Sequence, residues 1–415
     1  MASERRSRQV RSPIAVEVFA GVGGLSLGLE RAGFDVAAAV EFDVNHSAVH
    51  NFNFPKTALI RADAAKVSVR RVNDAVRRGL NAHGREEKRS GPIDLLAGGP
   101  PCQGFSDGGT HDPNDQRNQL IFEFARFVRE LKPRFFIMEN VRGLLRSKHK
   151  TAWDRLINQL TDSGYEVAKP AVLSASDFGV PQDRDRLFLL GWRVGEDAVS
   201  PPVAGVLPTP KVRDAFRALP NASSFPELYE EDVLAFDRLD RRGRESLADA
   251  DATYARSLRD DDPVRGFRRP WADKKMSGMA LTHHSDKVVK RFEKTPAGER
   301  DSISRYARLD LSGLSPTLRS GTGPDHGSHT PPRPIHPSGK RVITVREAAR
   351  LHSFPDWFSF HATKWHAWRG IGNAVPPLLA QAVARQVAER CEATDSVRGT
   401  LSWGDTTKLG YEEAW

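Results

Sequence analysis

The sequence predicts an α/β fold with a mixed, mostly parallel sheet and a second, smaller, loop-rich domain. Through the first half, short apolar runs alternate with amphipathic stretches, the pattern of strands joined by crossover helices. Each apolar run closes on glycine or charged residues, as strands do at the ligand edge of a parallel sheet. After Trp192 the texture turns Pro-rich and strongly charged, and the alternation does not return until about Thr344. A chain of 415 residues, 39% of them hydrophobic, is too long for one ordinary domain and has apolar material for a sizeable core.

Ile14 to Ala20 reads as a buried strand that stops at a glycine turn. Leu25, Leu27 and Leu29 with Ala32 then read as a helix ended by Gly33. Val36 to Val40 is the next strand. The charged stretch 66–90, with arginine pairs at 70–71 and 77–78, reads as a surface helix and loop, a solvated face rather than a contact surface. Asp94 to Ala97 and Phe135 to Met138 are further strands. Between them Leu120, Ile121, Phe124, Phe127, Val128 and Leu131 share one helical face. Helical periodicity returns at 346–352 and at 375–390, the latter expected to pack back on the first domain.

Lys and Arg outnumber Asp and Glu by 62 to 53, a net charge of +9, which favours a polyanionic partner without proving one. Two cysteines, Cys102 and Cys391, exclude a disulfide scaffold and a four-cysteine zinc module. There is no run of eighteen apolar residues, and the basic opening segment has no apolar stretch behind it. Neither a membrane span nor a secretory signal fits, so a cytoplasmic protein is expected.

Residues 17–30, EVFAGVGGLSLGLE, form a strand, a tight glycine turn and a helix start, which bring backbone N–H groups close to a ligand. Such a turn equally suits a dinucleotide or a plain connection. The next strand end, Glu41-Phe42-Asp43, adds a carboxylate for ribose hydroxyls and a ring for adenine. Asp63 is either an adenine contact or a turn residue. The segment GGPPCQGFS, 98–106, follows a strand directly, so Cys102 belongs on a loop at the ligand edge. A lone cysteine is ordinarily a small buried hydrophobe. Here Pro100 and Pro101 stiffen the approach and a polar glycine-bearing loop follows, so the exposed nucleophile is the better reading. Glu139 arrives at another strand end, as a structural anchor or as an acid facing a substrate base. His283, His284, His326, His329 and His336 have no cysteine companions and lie in Pro/Gly-rich sequence, so no metal site is expected. Cys391, in the final helix, reads as inert packing.

The ordered set FAGVGG, GGPPCQGFS, MENV, QDRDR, VREAARLHSFP and IGNAVP resembles the motif series of the bacterial C5-cytosine-specific DNA methyltransferases. The resemblance spans about 14 to 390, apart from residues 193–300. It implies a Rossmann-like methyltransferase sheet, S-adenosylmethionine as methyl donor with S-adenosylhomocysteine as product, and double-stranded DNA as substrate. It further implies a monomer, with a restriction endonuclease as a possible independent companion. In these terms residues 1–12 are a basic tail, 13–192 the catalytic and cofactor domain and 193–355 the target recognition domain. Residues 356–391 are the return segment and 392–415 a C-terminal tail.

By the same resemblance Phe19, Gly21, Gly23, Gly24 and Leu25 match the cofactor loop, Glu41 the ribose ligand, Phe42 the adenine-stacking position and Asp63 the adenine contact. Pro101, Leu120, Asn373 and Val375 match other positions of the cofactor pocket. Cys102 matches the nucleophile, Glu139 the group engaging the target ring, and Arg184 with Arg186 the pair beside it. Gln103, Ser106 and Arg117 match DNA-contacting positions. Thr317 and Arg319, in SPTLRSGTG, are the best candidates for base or phosphate contact. Two departures stand out: Glu17 replaces the usual Asp, and Phe42 stands where many members have Trp.

The implied chemistry needs these residue types. A thiolate adding to carbon 6 makes carbon 5 of cytosine nucleophilic. A protonated Glu139 can donate to ring N3, and the arginines can hold the base carbonyl and phosphate. The cytosine must be extruded from the duplex to be reached. An RNA cytosine-5 methyltransferase is disfavoured by the variable region of roughly 150 residues, which suits DNA reading. A non-catalytic DNA-binding homologue would show a lost nucleophile or a broken glycine loop, and neither occurs.

Overall fold

A five-residue apolar strand, β1 (Ile14–Val18), is buried along its whole length, and the rest of the first domain is built outward from it. The computed structural model describes residues 12–85, 92–101, 119–205, 209–249, 251–259, 266–268, 275–321, 333–393 and 397–401. In chain order β1 is followed by α1 (Gly24–Arg31), β2 (Asp35–Glu41), α2 (Val44–Asn53), β3 (Ala58–Arg61), α3 (Val69–Ala82) and β4 (Leu95–Gly98). Next come α4 (Leu120–Leu131), β5 (Phe135–Asn140), α5 (Lys150–Asp162), β6 (Tyr165–Val167), β7 (Ala171–Ser174), β8 (Gln182–Asp183) and β9 (Asp185–Arg193). Among the described residues eight strands form one sheet in the order β3-β2-β1-β4-β5-β9-β6, with β7 also on β9. β1 to β5 run parallel, and β9 is antiparallel to β5, β6 and β7.

Both faces of the sheet are covered, which is why its central strands are near-continuous apolar runs. Alternation along β1 sends Val16 and Val18 into a core with Phe124, Phe127 and Leu156. Ala15 faces a second core with Leu25, Val383 and Val387. Helix starts carry their expected devices: the Asp43 carboxylate accepts from the Asn45 and His46 N–H groups, and the Ser68 hydroxyl from Arg71 N–H. Strand order reverses between β1 and β4. The crevice at the carboxyl ends of strands flanking such a reversal is where ligands bind.

The second region has little ladder to satisfy its backbone. It contains α6 (Val212–Phe216), β10 (Leu234–Ala235), α7 (Arg241–Leu247), α8 (Thr253–Arg259), β11 (Gly266–Arg268), β12 (Lys275–Met276), α9 (Asp286–Lys294) and β13 (Ser315–Pro316). A small core of Leu228, Leu234, Leu239, Met276, Met279 and Leu281 holds part of it. Loop carbonyls elsewhere need donors, and buried arginines supply them. From α10 (Val345–Leu351), Arg346 donates to Ser277, Pro355 and Phe358 carbonyls. Arg350 grips Asp356 and donates to Ala215 and Arg217 carbonyls. The chain then forms α11 (Lys364–Asn373), α12 (Pro377–Arg390) and β14 (Val397–Thr400). α12 returns onto α1 at Gly28, where a Cβ would lie 2.3 Å from Ala380 Cβ; only glycine permits that approach. Among the described residues no helix is long and apolar enough to cross a membrane.

Candidate active site

After Val18 the chain leaves the ladder because Phe19, Gly21 and Gly23 all take positive φ, 60°, 56° and 97°. At Gly23 a Cβ would meet the Phe54 ring at 2.2 Å, and at Gly24 the Val375 carbonyl at 2.3 Å. The turn is thus wedged between α2 and the start of α12, with Leu25 buried beneath it. Gly21 faces open space. Its N–H donates to Glu41 Oε2 at 2.7 Å, while Glu41 Oε1 accepts from Asp43 N–H at 2.8 Å. Beside that carboxylate the Phe42 ring is 74% exposed, a flat apolar face of the kind a purine stacks on. An acid, an exposed ring and an unencumbered glycine converge at one strand end, which fits the adenosyl half of a nucleoside cofactor.

Asp63 accepts from Ala65 N–H at 3.0 Å and caps the short turn 64–66, the turn role that the sequence left open. Val375 is buried against the glycine turn, Asn373 is exposed at the end of α11, Leu120 is half-buried at the start of α4 and Pro101 is exposed.

Under the turn lies a cluster that the sequence reading did not single out. The Ser26 hydroxyl donates to the Glu17 carboxyl and stands 2.8 Å from His50 Nε2. Burial pushes Glu17 up to about 8, with Glu41 adding to the rise, and drives His50 down to about 3. His50 Nδ1 has no hydrogen-bond partner. The sequence marks Glu17 as a departure from the usual aspartate; the partners that surround its carboxyl come together only in three dimensions.

On the other side of the strand reversal, β4 runs out through Gly98 and Gly99. A Cβ on Gly99 would stand 2.8 Å from Glu139 Oε2, so the strand passes directly over that carboxyl. Asn140 Nδ2 donates to the Pro100 carbonyl at 3.2 Å, fixing the approach to Cys102. Cys102 itself, with Gln103, Ser106 and Arg117, lies outside the described residues, as do His326 and His329. Glu139 is buried, and burial raises its carboxyl above the usual range against the pull of Arg186 and Arg184. Arg186 Nε lies 2.8 Å from Glu139 Oε1.

The expected arginine pair divides. β8 ends at Asp183 and β9 begins at Asp185, so Arg184 occupies the break and the in-out alternation does not govern it. Its buried guanidinium turns into the protein and donates to the carbonyls of Leu318 at 2.9 Å, Gly372 at 2.8 Å and Ala374 at 2.9 Å. Both terminal nitrogens of Arg184 are thus engaged within the protein, and Arg186 is the arginine in direct contact with Glu139. Thr317 donates its hydroxyl to the Asp183 carbonyl at 2.5 Å, tying β13 to β8, while Arg319 is exposed.

His283 stacks on Tyr229 with centroids 4.4 Å apart, and His336 Nδ1 accepts from Gly339 N–H at 2.8 Å. His284 Nε2 accepts from Val342 N–H at 3.3 Å. Cys391 is half-buried at the end of α12, its thiol pushed up to about 12 by burial.

Residues 15–389 match the family described as C-5 cytosine-specific DNA methylase. The chain is 44% identical to the Type II methyltransferase M.XorII of Xanthomonas oryzae pv. oryzae, over 96% of this chain and 90% of that one. It is 29% identical to the Type II methyltransferase M.DdeI of Desulfomicrobium norvegicum, over 90% and 88%. Among solved structures, a DNA modification methyltransferase encoded within an E. coli prophage superposes with TM-score 0.69 at 34% identity, covering 91% of this chain and 99% of that one. The S. pombe Dnmt2 methyltransferase shares the fold, with TM-score 0.53 at 16% identity, over 92% and 98%.

Proposed function

The chain belongs to the C-5 cytosine-specific DNA methylase family, and on that premise we propose that it methylates carbon 5 of a cytosine extruded from a specific double-stranded DNA sequence, through a covalent adduct with Cys102. The observation carrying this reading is the contact between buried Glu139 and half-buried Arg186 under the strand that leads to Cys102, at the same sheet edge as Glu41 and Phe42.

S-adenosylmethionine, when bound, supplies an electrophilic methyl group. Gly21, Glu41 and Phe42 would hold its adenosyl half, with Asp63, Leu120, Asn373 and Val375 as further lining. Cys102 adds as thiolate to carbon 6 of cytosine, and the electron pair moves toward ring N3. Glu139, whose carboxyl burial raises above the usual range, donates to N3 from its protonated form and stabilises the developing charge. Arg186 holds Glu139 in place. Methyl transfer to carbon 5, with S-adenosylhomocysteine as the leaving group, is followed by loss of the carbon 5 proton to a base, expulsion of the Cys102 thiolate and return of the N3 proton to Glu139. Pro100 and Pro101, with Asn140 on the Pro100 carbonyl, limit the thiol's wandering.

Residues 193–355 would read the target, with Thr317 and Arg319 nearest the DNA and Gln103, Ser106 and Arg117 flanking the extruded base. The enzyme would act as a monomer in the compartment that holds the DNA, with or without a restriction endonuclease of the same specificity. Bisulfite sequencing of plasmid DNA from an expressing host tests the activity and reveals the target together. Methylated cytosine in one sequence context is expected, and none with Cys102→Ser, whose alcohol adds far less readily. Cys102→Ser should still bind S-adenosylhomocysteine; equal methylation by this variant would remove the covalent route.

A further inference from the structure

Behind the Glu139–Arg186 pair four segments of the chain meet in one buried polar knot. The first is 182–186, the second the strap 315–320, the third 351–352 and the fourth the turn 372–375. Gln182 is saturated: its Oε1 accepts from Leu318 N–H at 3.2 Å, and its amide donates to the Leu351 carbonyl and to His352 Nδ1, each at 3.1 Å. His352 Nε2 lies 3.0 Å from the Ala374 carbonyl, which can only accept. The ring is therefore the neutral Nε2–H tautomer, with Nδ1 receiving the Gln182 amide. Each donor in this ring has an acceptor, so there is one arrangement of the hydrogen bonds and no slack in it.

Arg184 closes the knot. One guanidinium nitrogen donates to Leu318 of the strap, and the other to Gly372 and Ala374 on either side of Asn373. Gly372 completes the fit, since a Cβ there would come within 2.3 Å of Ser320 N; the strap backbone lies directly on the turn. A buried cation answered by three carbonyls rather than a carboxylate is costly to desolvate. Placed two residues before Arg186, it links what the strap touches to what the turn touches.

We propose that Arg184 is a positioning residue that makes the recognition strap 315–320 and the cofactor-lining turn 372–375 move as one body, so that target binding and cofactor binding reinforce each other. This rests on the proposed function for what the strap and the turn contact. Coupling of this kind is reciprocal: whatever factor the target lends to cofactor affinity, the cofactor lends to target affinity. Displacement of the strap by the wrong sequence would pull Asn373 and Val375 from their place, and would disturb Arg186 and Glu139 through two residues of chain. Discrimination would then extend beyond the groove to cofactor capture.

The test uses the full chain as wild type, Arg184→Lys and Gln182→Met, with the target taken from bisulfite sequencing of plasmid modified by the wild type. S-adenosylhomocysteine is titrated calorimetrically into protein alone, into protein with a duplex carrying the target, and into protein with a scrambled duplex. Wild type should bind about tenfold tighter with the target duplex than alone, within the usual range of such couplings. In Arg184→Lys one ammonium nitrogen replaces the two guanidinium nitrogens that reach the strap and the turn separately, and the fork geometry is lost. Affinity without DNA should stay within about threefold of wild type, while the target-induced gain shrinks to under about twofold. Gln182→Met removes the side-chain tie to the Leu318 N–H with Arg184 intact, and should cut the gain in the same direction, which decides the matter should the lysine variant fail to fold. Variants that bind the product and keep the full gain overturn the coupling, as does a wild type that methylates yet shows no gain. A wild type that methylates no cytosine instead overturns the proposed function on which the coupling rests.

Discussion

Replacing Glu17 by Gln should stabilise the protein at alkaline pH and remove a slope from its stability profile. Glu17 is 1% exposed, and neither Ser26, which donates to it, nor His50 beyond Ser26 carries positive charge at neutral pH, since burial holds His50 down to about 3. The folded carboxyl titrates at about 8 against an ordinary value of 4.5. A carboxyl raised on folding keeps its proton where the unfolded chain has lost it. The stability it contributes is complete below 4.5 and is lost as pH rises toward 8, at about 1.4 kcal/mol per pH unit. His50 has the opposite sign: its folded value lies below the ordinary 6.5, so its loss sets in as pH falls below 6.5 and leaves the alkaline window to Glu17. Between pH 6.5 and 8.5 the Glu17 share amounts to about 2 kcal/mol. Glutamine reproduces the neutral carboxyl with no proton to lose. Urea unfolding of both proteins at pH 6.5, 7.5 and 8.5, followed by circular dichroism, should show the curves of wild type and variant separating by about that amount. Parallel curves over this window would refute the claim that a neutral carboxyl supports the cofactor turn.

Glu139→Gln keeps the shape and the Arg186 contact but cannot donate a carboxyl proton, so the rate of methyl transfer should fall on the order of 10²–10⁴-fold. Product affinity measured by calorimetry should stay unchanged. Because burial raises the Glu139 carboxyl, the wild-type rate should decline as pH rises past that raised value, a limb that the glutamine variant lacks. Phe42→Ala removes an exposed ring with little folded-state packing, so it should weaken cofactor binding by about 0.5–1.5 kcal/mol with the melting temperature little altered. Exchanging residues 193–345 for those of a relative with another target should move methylation to the new sequence. Within that block Arg319→Ala should cost about 1–3 kcal/mol at one base pair if Arg319 reads a base edge, or weaken all sequences equally if it holds phosphate.

The strands at Ile14, Val36, Asp94 and Phe135 were legible because burial on two faces leaves a continuous apolar run, and the helix from Leu120 because burial along one stripe leaves a periodic one. The strand ends carrying Glu41, Phe42 and Glu139 were legible for the same reason. α2, α5 and α11 left weaker traces. Their apolar positions are few, and the charged or aromatic residues among them pack against other elements. In the second region the order comes from Arg308, Arg346 and Arg350 donating to carbonyls outside their own elements and from Arg341 paired with the Glu347 carboxylate, a bonding pattern with no period to detect.

Sequence alone determined the glycine turn, the proline-stiffened approach to Cys102 and the arrival of acids at one sheet edge. Each follows from backbone restrictions and side-chain alternation acting over a few neighbouring residues. Only the tertiary structure decided that Arg186 meets Glu139 while Arg184 turns away to Leu318, Gly372 and Ala374. Only there do Glu17, Ser26 and His50 meet beneath the cofactor turn. A side chain at a break between strands takes its direction from whatever distant carbonyls need a donor, and those lie more than a hundred residues away along the chain.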